Sequence, residues 1–546
     1  MTSRSLGHRA PLLWLVLPYA LGLAAGDLGE KFAPTGLLAA AGLGAGLAWL
    51  AAHRRPVLWA AALGASAFLA GVANHSLHRS RLPVWQELPP READLVLRVD
   101  RVFAGKHAQR VTGLATVLGT DPHLRELRGQ PLYFSVRHRA EEPPPLRSSR
   151  IRVLGVLETL PAEPAEESFD AYLSGAGMNF RLARGQLTET VRPASRYRVF
   201  CAGMLDRFNA ILGAGVEAKR PELTGVLRAM LLGQKQALGD GQRELFRHSG
   251  TMHLFAISGL HIGVIAAGLH ALLSLLRLPR PVHFTASLLI LWLYVDITGT
   301  MPSAVRAFIM VAAFQSAFIF RLPGNPLAAL AAAAGIVLLF APMQLFSASF
   351  QMSYGIVAAL LLLGLPLAET WLQRWRPFAA LPAAAHGWHH RLINHGGRAL
   401  LGMLAIGVAS ITVSALTGIQ FFRLFTPVAL LANLALIPAA VLVILGGVAS
   451  LLCGLAGFAL GSSLCNHATG VVLAAMDHAV RRLAELPGGH WPAAYHAPWI
   501  GPAALAGLLG VMLAAYGLGW TKRTGGWWPP FALVALVLIF GVKFGP

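Results

Sequence analysis

Several side chains able to titrate or to form strong hydrogen bonds stand inside otherwise apolar stretches. His253, Ser258 and His261 interrupt 252–276. Arg306 follows Pro302 and Ser303 early in 303–320, Gln351, Ser353 and Tyr354 fall in 346–367, and Asn433 falls in 427–445. Polar groups at membrane depth are costly and usually face a bundle interior or a wet cavity. Imidazole, hydroxyl, amide and guanidinium groups together can line a hydrated path, and an arginine also forms charge-assisted forks with phosphate. His253 and His261 are eight positions apart, about 80° around a continuous helix, so they are expected on one side of such a path. Gly259 and Gly263 permit close helix approach or a local break.

Each residue also has a plainer reading. Arg306 could pair with Asp296, at the end of the preceding span. The histidines, Gln351, Ser353, Tyr354 and Asn433 could form hydrogen bonds between helices. Ser258 and His261 are neighbours on a helix, so a Ser–His hydrolase pair is geometrically allowed. However, ISGLH lacks the G-x-S-x-G elbow, and no acid lies near in sequence to orient the imidazole. No catalytic residue is assigned. Cys201, Cys453 and Cys465 form no CxxC or Cys/His spacing and read as packing residues. His467 and His478 are isolated, and the His-rich 386–395 reads first as a basic face on anionic lipid. No metal or cofactor is expected. No Walker-type phosphate loop occurs, so the chain shows no motor of its own.

The elements that must hold these groups are mostly membrane spans. The 546 residues are 55% hydrophobic and 13% charged, with mean hydropathy +0.57. Such a composition excludes disorder, disfavours a single large soluble enzyme and fits a polytopic membrane protein. The net charge of +20 has two readings, basic cytoplasmic loops or a polyanionic substrate. Apolar runs at 11–26, 35–52 and 57–73 suit three spans. Arg4 and Arg9, then His53, Arg54 and Arg55, place the N-terminus inside and residue 75 outside. Further spans are expected at 252–276, 283–299, 303–320, 326–341, 346–367, 399–418, 427–445, 446–461, 498–519 and 530–545. The 369–398 loop, Lys522 and Arg523 then fall inside. The stretch 427–461 carries Pro438 and no charged turn, so it reads as two short spans or one bent one. Residues 463–496 read as an outer amphipathic segment.

Between residues 75 and 195 the apolar runs shorten to strand length. Strands are expected at 94–103, 109–119, 131–137, 150–160 and 178–184, rich in Val and Leu and bounded by Gly, Pro and Asp. Five short strands suit a small OB-type barrel, with loops at 141–145 and 161–168. Tyr133 and Phe134 are adjacent on one strand, so one of them at most faces outward, and no stacking platform is visible. Residues 197–235 read as an amphipathic helix on the membrane surface. The fold class is thus a polytopic α-helical membrane protein, of about 12–13 segments, with an inserted all-β domain. The expected divisions are 1–74 (three membrane helices), 75–195 (an extracytoplasmic OB-like domain), 196–250 (membrane-surface helices) and 251–546 (a helical domain).

One segment, His253-Leu254-Phe255-Ala256-Ile257-Ser258-Gly259-Leu260-His261-Ile262-Gly263, resembles the signature of the ComEC family of bacterial competence proteins. Gly233, Leu238, Phe246 and Gly250 meet the pattern that precedes it, with Gln234 in place of the usual Asp. Three further stretches resemble family motifs in order: 299–310 with Gly299, Pro302, Ser303 and Arg306; 346–362 with Ser349, Gln351 and Ser353; and 426–438 with Asn433 and Pro438. The exit from the β region, 169–182, also resembles the family pattern. The resemblance implies a channel for single-stranded DNA in the cytoplasmic membrane, used in natural transformation. The candidates for its lining are His253, Ser258, His261, Arg306, Gln351, Ser353 and Asn433. The implied partners are single-stranded DNA, membrane lipid, an outer DNA receptor, a separate nuclease, and a cytosolic ATPase or DNA-binding proteins. Many members carry a C-terminal metallo-β-lactamase-like domain with an H-x-H-x-D-H motif. That motif does not occur in this sequence, so strand degradation is expected from another polypeptide.

Overall fold

Three apolar N-terminal runs fold as α1 (Leu13–Leu28), α2 (Pro34–Ala51) and α3 (Pro56–Ser80). The computed structural model describes residues 10–28, 33–52, 55–80, 89–103, 109–139, 142–161, 168–175, 177–321, 324–378, 387–521 and 525–545. Arg4, Arg9, His53, Arg54, Lys522 and Arg523 lie outside the described residues, as do parts of the 141–145 and 161–168 loops. Helices α1 and α3 cross at Gly22 and Gly71, where a Cβ on either would meet backbone of the other helix. Small residues permit such approach where lipid supplies no hydrophobic drive between helices. Asn74 on α3 then donates to Tyr19 Oη at 2.6 Å and to the Leu339 carbonyl at 3.1 Å. This fixes the three-helix unit to the rest of the bundle.

Five strands follow: β1 (Arg91–Phe103), β2 (Arg110–Thr120), β3 (Pro131–Arg137), β4 (Arg150–Thr159) and β5 (Phe180–Arg192). They close a barrel in the order β1–β2–β3–β5–β4, antiparallel except for the parallel pair β3–β5. Alternation sets the inside. Leu95, Leu97 and Val99 of β1, Leu132, Phe134 and Val136 of β3, and Ile151 and Val153 of β4 are all buried in one core. Burying each such side chain stabilises by about 1.5–3 kcal/mol. Phe134 is inside and Tyr133 only partly covered, as the alternation predicts. A short helix, α4 (Phe169–Gly175), joins β4 to β5.

The single amphipathic helix expected over 197–235 is two helices, α5 (Arg196–Gly213) and α6 (Pro221–Leu232). Arg228 of α6 ties them together, pairing with Glu217 of the connecting turn at 2.6 and 2.8 Å and donating to the Asn209 carbonyl of α5 at 2.9 Å. The Arg228 hydrogen bond holds the Glu217 carboxyl below its usual range against the opposing effect of burial. Residues Thr224–Leu232 of α6 are mostly buried in the largest helical core, so α6 is a packed element with no free amphipathic face.

The rest is a helical bundle: α7 (Asp240–His248), α8 (Gly259–Ser274), α9 (Arg280–Ile297), α10 (Pro302–Ile319), α11 (Pro326–Phe340), α12 (Ala348–Arg374), α13 (Trp388–Phe422), α14 (Ala429–Leu455), α15 (Ala459–Ala484), α16 (Ile500–Gly517) and α17 (Trp528–Phe540). Helices α2, α3, α6, α10 and α11 begin at proline, whose missing N–H has no helical partner to lose at that position. Among the described residues, eight helices are long and apolar enough to cross a membrane, and α1, α8, α11 and α17 are shorter apolar helices. The architecture is that of a polytopic membrane protein carrying a small closed β-barrel.

One sequence alternative is resolved and two expectations change. Of the two readings of 427–461, the single span holds: α14 is one helix, continuous through Pro438. Proline costs one backbone bond there, which bundles at membrane depth tolerate. The reversal comes later, at Gly457 with φ +80°. The outer segment expected at 463–496 is instead α15, a helix long enough to span, followed by the strand β7 (Trp491–Tyr495). Strand β7 pairs with β6 (Leu424–Phe425) and β8 (Val542–Phe544), bringing the ends of α13, α15 and α17 together. Finally, 252–276 is not one helix, and that break shapes the site.

Candidate functional site

Helix α7 ends at Ser249, whose hydroxyl donates to the Leu245 carbonyl at 2.9 Å and lies 2.7 Å from Thr251 Oγ1. The chain then turns through Gly250 at φ +68°. It stays non-helical until α8 begins at Gly259, with Ser258 as N-cap in extended backbone. A continuous helix would satisfy its own carbonyls. This break leaves them to neighbours, and Ser303 of α10 donates to the Ile257 carbonyl at 2.8 Å. Irregular backbone at membrane depth is tolerated where protein or a water-filled cavity surrounds it.

The four motif stretches meet around this break. A Cβ at Gly233, which has φ +73°, would lie 2.9 Å from Met301 Sδ and 3.2 Å from Ile257 Cδ1. A Cβ at Gly250 would lie 2.8 Å from Ala429 Cβ and 3.2 Å from Thr426 Oγ1. Any larger residue would be forced into left-handed backbone at both positions, would displace the Met301 side chain at Gly233 and would clash with Ala429 at Gly250. Arg306 Nη2 donates to the Ser349 carbonyl at 3.0 Å, to the Ser349 hydroxyl, and to Ser353 Oγ at 3.3 Å. The first motif therefore touches the second and the fourth, and the second touches the third.

Arg306 is only 3% exposed. Its Nε and Nη1 have no hydrogen-bond partner among the described residues. A buried guanidinium with unmatched donors is energetically expensive. Ser349, which holds its other arm, is exposed. The hydroxyl of Tyr354, the Oε1 of Gln351 and the Oδ1 of Asn433 are also buried without partners among the described residues, while Gln351 Nε2 donates to the Leu345 carbonyl at 3.0 Å.

Asp296 does not pair with Arg306. Its side chain is 2% exposed and accepts from Arg198 Nη1 of α5 at 2.6 Å and Arg147 Nη1 of the barrel at 3.0 Å. Arg147 also donates to Thr300 Oγ1 at 2.9 Å. The loop that carries Arg147 continues to Ser148, whose Oγ accepts from the Ser195 backbone N–H at 3.3 Å. Sequence reasoning missed Arg147 and Arg198, because they lie 149 and 98 positions from Asp296 and no local pattern connects them.

The two histidines do not share a helix face. His253 lies on the break, exposed, with Nδ1 donating to the Gly250 carbonyl at 3.1 Å. His261 is fully buried. Its Nδ1 accepts from the Ser258 backbone N–H at 3.3 Å and from the Ser258 hydroxyl at 2.9 Å. The Ser258–His261 pair is therefore formed, but as a helix cap. The imidazole proton then sits on Nε2, where a hydrolase would place its orienting carboxylate, and that atom has no partner among the described residues. Ser258→Ala is expected to lower stability by about 1 kcal/mol through loss of the cap and to reduce function far less than Arg306→Glu. Thermal unfolding in detergent beside a functional assay checks this. Gly259, Gly263, Gly299 and Pro302 are exposed, and a Cβ at any of these three glycines would meet nothing within 4 Å. Gly259 and Gly263 are thus not points of close helix contact. Among the described residues no cluster of His, Cys, Asp or Glu could hold a metal.

A membrane bundle with a docked β-barrel and a set of converging polar motifs defines the class of protein. Residues 230–520 match the family described as Competence protein, and the chain belongs to that family, the ComEC family its motifs resemble. It is 33% identical over 142 residues to ComE operon protein 3 of Bacillus subtilis (strain 168), covering 26% of this chain and 18% of that protein. It is 32% identical over 149 residues to Competence protein ComA of Neisseria gonorrhoeae, covering 25% of this chain and 21% of that protein. No solved structure matches.

Proposed function

We propose that this protein takes part in DNA uptake during competence, as a channel passing single-stranded DNA across the bacterial cytoplasmic membrane. Family membership and the names of the relatives support the role in competence. The observation that carries the channel reading is the meeting of all four motifs around the helix break and Arg306. A DNA strand carries a negative charge at each nucleotide and needs a wet, partly positive conduit through lipid. Arg306, His253, Ser258, His261, Gln351, Ser353 and Asn433 are the proposed lining. The barrel is of the OB type: its closed strand order and parallel β3–β5 pair support that assignment. It sits outside the membrane and receives the strand, with the N-terminus inside. The domain scheme is three membrane helices in 1–74, the barrel in 75–195, connecting helices in 196–250 and the channel in 251–546. A surface receptor, a separate nuclease and a cytosolic ATPase or DNA-binding protein complete the system.

The test is natural transformation in the host. Deleting the gene is expected to abolish transformants, and the wild-type gene to restore them. Unchanged transformation in the deletion strain, given a host that transforms measurably, would sink the proposal.

A further inference from the structure

Four rings run in sequence over the outside of the barrel. Phe103 at the end of β1 stacks on Tyr133 of β3 with centroids 6.3 Å apart. Tyr133 meets Phe169 of α4 edge-on at 5.1 Å, and Phe169 stacks on Tyr172 at 5.8 Å. The Arg101 guanidinium lies 5.2 Å from the Phe103 ring centroid. Helix α4 is pinned by Leu173, which is fully buried and packs near Leu114 and Tyr133. That anchor leaves Phe169 and Tyr172 pointing outward, each 49% exposed.

Both signs occur along the track: Asp170, between Phe169 and Tyr172, and Glu158 pair with Arg181, which lies opposite Tyr133, while three further arginines stand on the outer face of β1, β2 and β3. Register pairs Arg110 with Arg137 and Leu114 with Tyr133, and it pairs Arg101 with Leu114 and Phe103 with Thr112. The alternation of strands therefore puts Arg101, Arg110, Arg137, Phe103 and Tyr133 on one outer face. None of these arginines has a carboxylate partner among the described residues. Other arginines of the barrel are neutralised, Arg152 by Asp94 and, beside Tyr133 itself, Arg181 by Glu158 and Asp170. The face covers β2 and β3 between the end of β1 and the β4–β5 connection, which is where OB-type barrels hold oligonucleotides. Both ends of the ring track reach the helical domain. Helix α4 packs on the turn Pro342–Phe346, just before the third motif, and Arg101 is within electrostatic reach of Lys235 beside Gly233.

We infer that this face is a base-stacking platform for single-stranded DNA, with Phe103, Tyr133, Phe169 and Tyr172 stacking on bases and Arg101, Arg110 and Arg137 meeting phosphates. The inference rests on the proposed function and adds where the strand is held before the conduit. Rings give sequence-tolerant stacking, because every base has a π-face, and free arginines supply the salt-dependent part.

The test uses the full chain in lipid nanodiscs and a fluorescein-labelled oligothymidylate of about 16 nucleotides, read by anisotropy. Phe169→Ala and Tyr172→Ala are each expected to weaken binding on the order of tenfold, while Phe169→Tyr and Tyr172→Phe hold wild-type affinity. An abasic oligomer of the same length should bind wild type and ring variants alike, since only charge remains to be recognised. Arg101→Gln should instead lower the salt slope by about 0.7. Unchanged affinity in the Phe169→Ala/Tyr172→Ala double variant, or no binding by wild type, overturns the platform. Unchanged affinity with a fall in thermal stability in the nanodisc would mark the rings as membrane-interface anchors, and overturns it equally. The two readings are separable: if Arg306 variants block transformation while the ring variants do not, the platform falls and the conduit stands.

Discussion

Asp296→Ala is expected to destabilise the protein by about 3 kcal/mol and to loosen the barrel from the bundle. Breaking a buried ion pair by removing one partner costs about 3–5 kcal/mol, because the other charge stays desolvated and unpaired. Two guanidiniums converge on Asp296 Oδ1. Arg198 is the costly one to strand, with a side chain 20% exposed. Arg147, at 37% exposed, is screened by solvent and adds less. With the carboxylate gone the two cations also repel each other. The measurement is thermal unfolding in detergent with limited proteolysis of the segment joining the barrel to α5. A double-mutant cycle with Arg198→Met separates the pair from general packing damage. A coupling energy near zero would mean that the Arg198–Asp296 pair holds nothing. Thr300 remains as an acceptor for Arg147, so the barrel is expected to stay folded around its own core.

What could be read ahead from the residues was local. The five barrel strands announce themselves because Val and Leu alternate between Gly, Pro and Asp breaks, and the inward set of β1 and β3 follows directly. The motif stretches were legible too, as polar residues at awkward depth. What they touch was not legible. Arg306 has one acid nearby in sequence, Asp296, and sequence distance alone favours pairing them. Yet Asp296 is consumed by arginines from the barrel and from α5, contacts that only the assembled fold creates. The helix break at 251–258 was hidden because MHLFAIS has the composition of a span. Its breaking signals are the left-handed Gly250, the cap at Ser258 and a carbonyl taken by Ser303, and the last exists only in three dimensions. The ring track was hidden for a related reason. Tyr133 alone is no platform, and its neighbours Phe103, Phe169 and Tyr172 come from one other strand and from a helix inserted before β5.

Arg306→Glu is expected to bring transformation to the level of the deletion strain. The wild-type guanidinium donates through Nη2 alone, to Ser349 and Ser353, and keeps Nε and Nη1 unused. A guanidinium has five N–H donors, so three remain for a visiting phosphate once Ser349, which is exposed, gives way. Glutamate inverts all of this. It faces the Ser349 carbonyl, an acceptor it cannot satisfy, and it repels the strand. A carboxylate there is a buried charge facing acceptors, and every 1.4 kcal/mol lost from the contact with the strand is about tenfold in occupancy. A drop of two orders of magnitude or more in transformants follows. Because such a variant could fail to insert, membrane-fraction immunoblots accompany the count, and Arg306→Lys supplies the graded control. Lysine keeps the charge and loses the fork, so it should fall between the two, about tenfold below wild type. Wild-type transformation by an inserted Arg306→Glu protein would remove Arg306 from the strand's path. A loss shared equally by Arg306→Lys would show that geometry at Ser349 and Ser353 matters there more than charge.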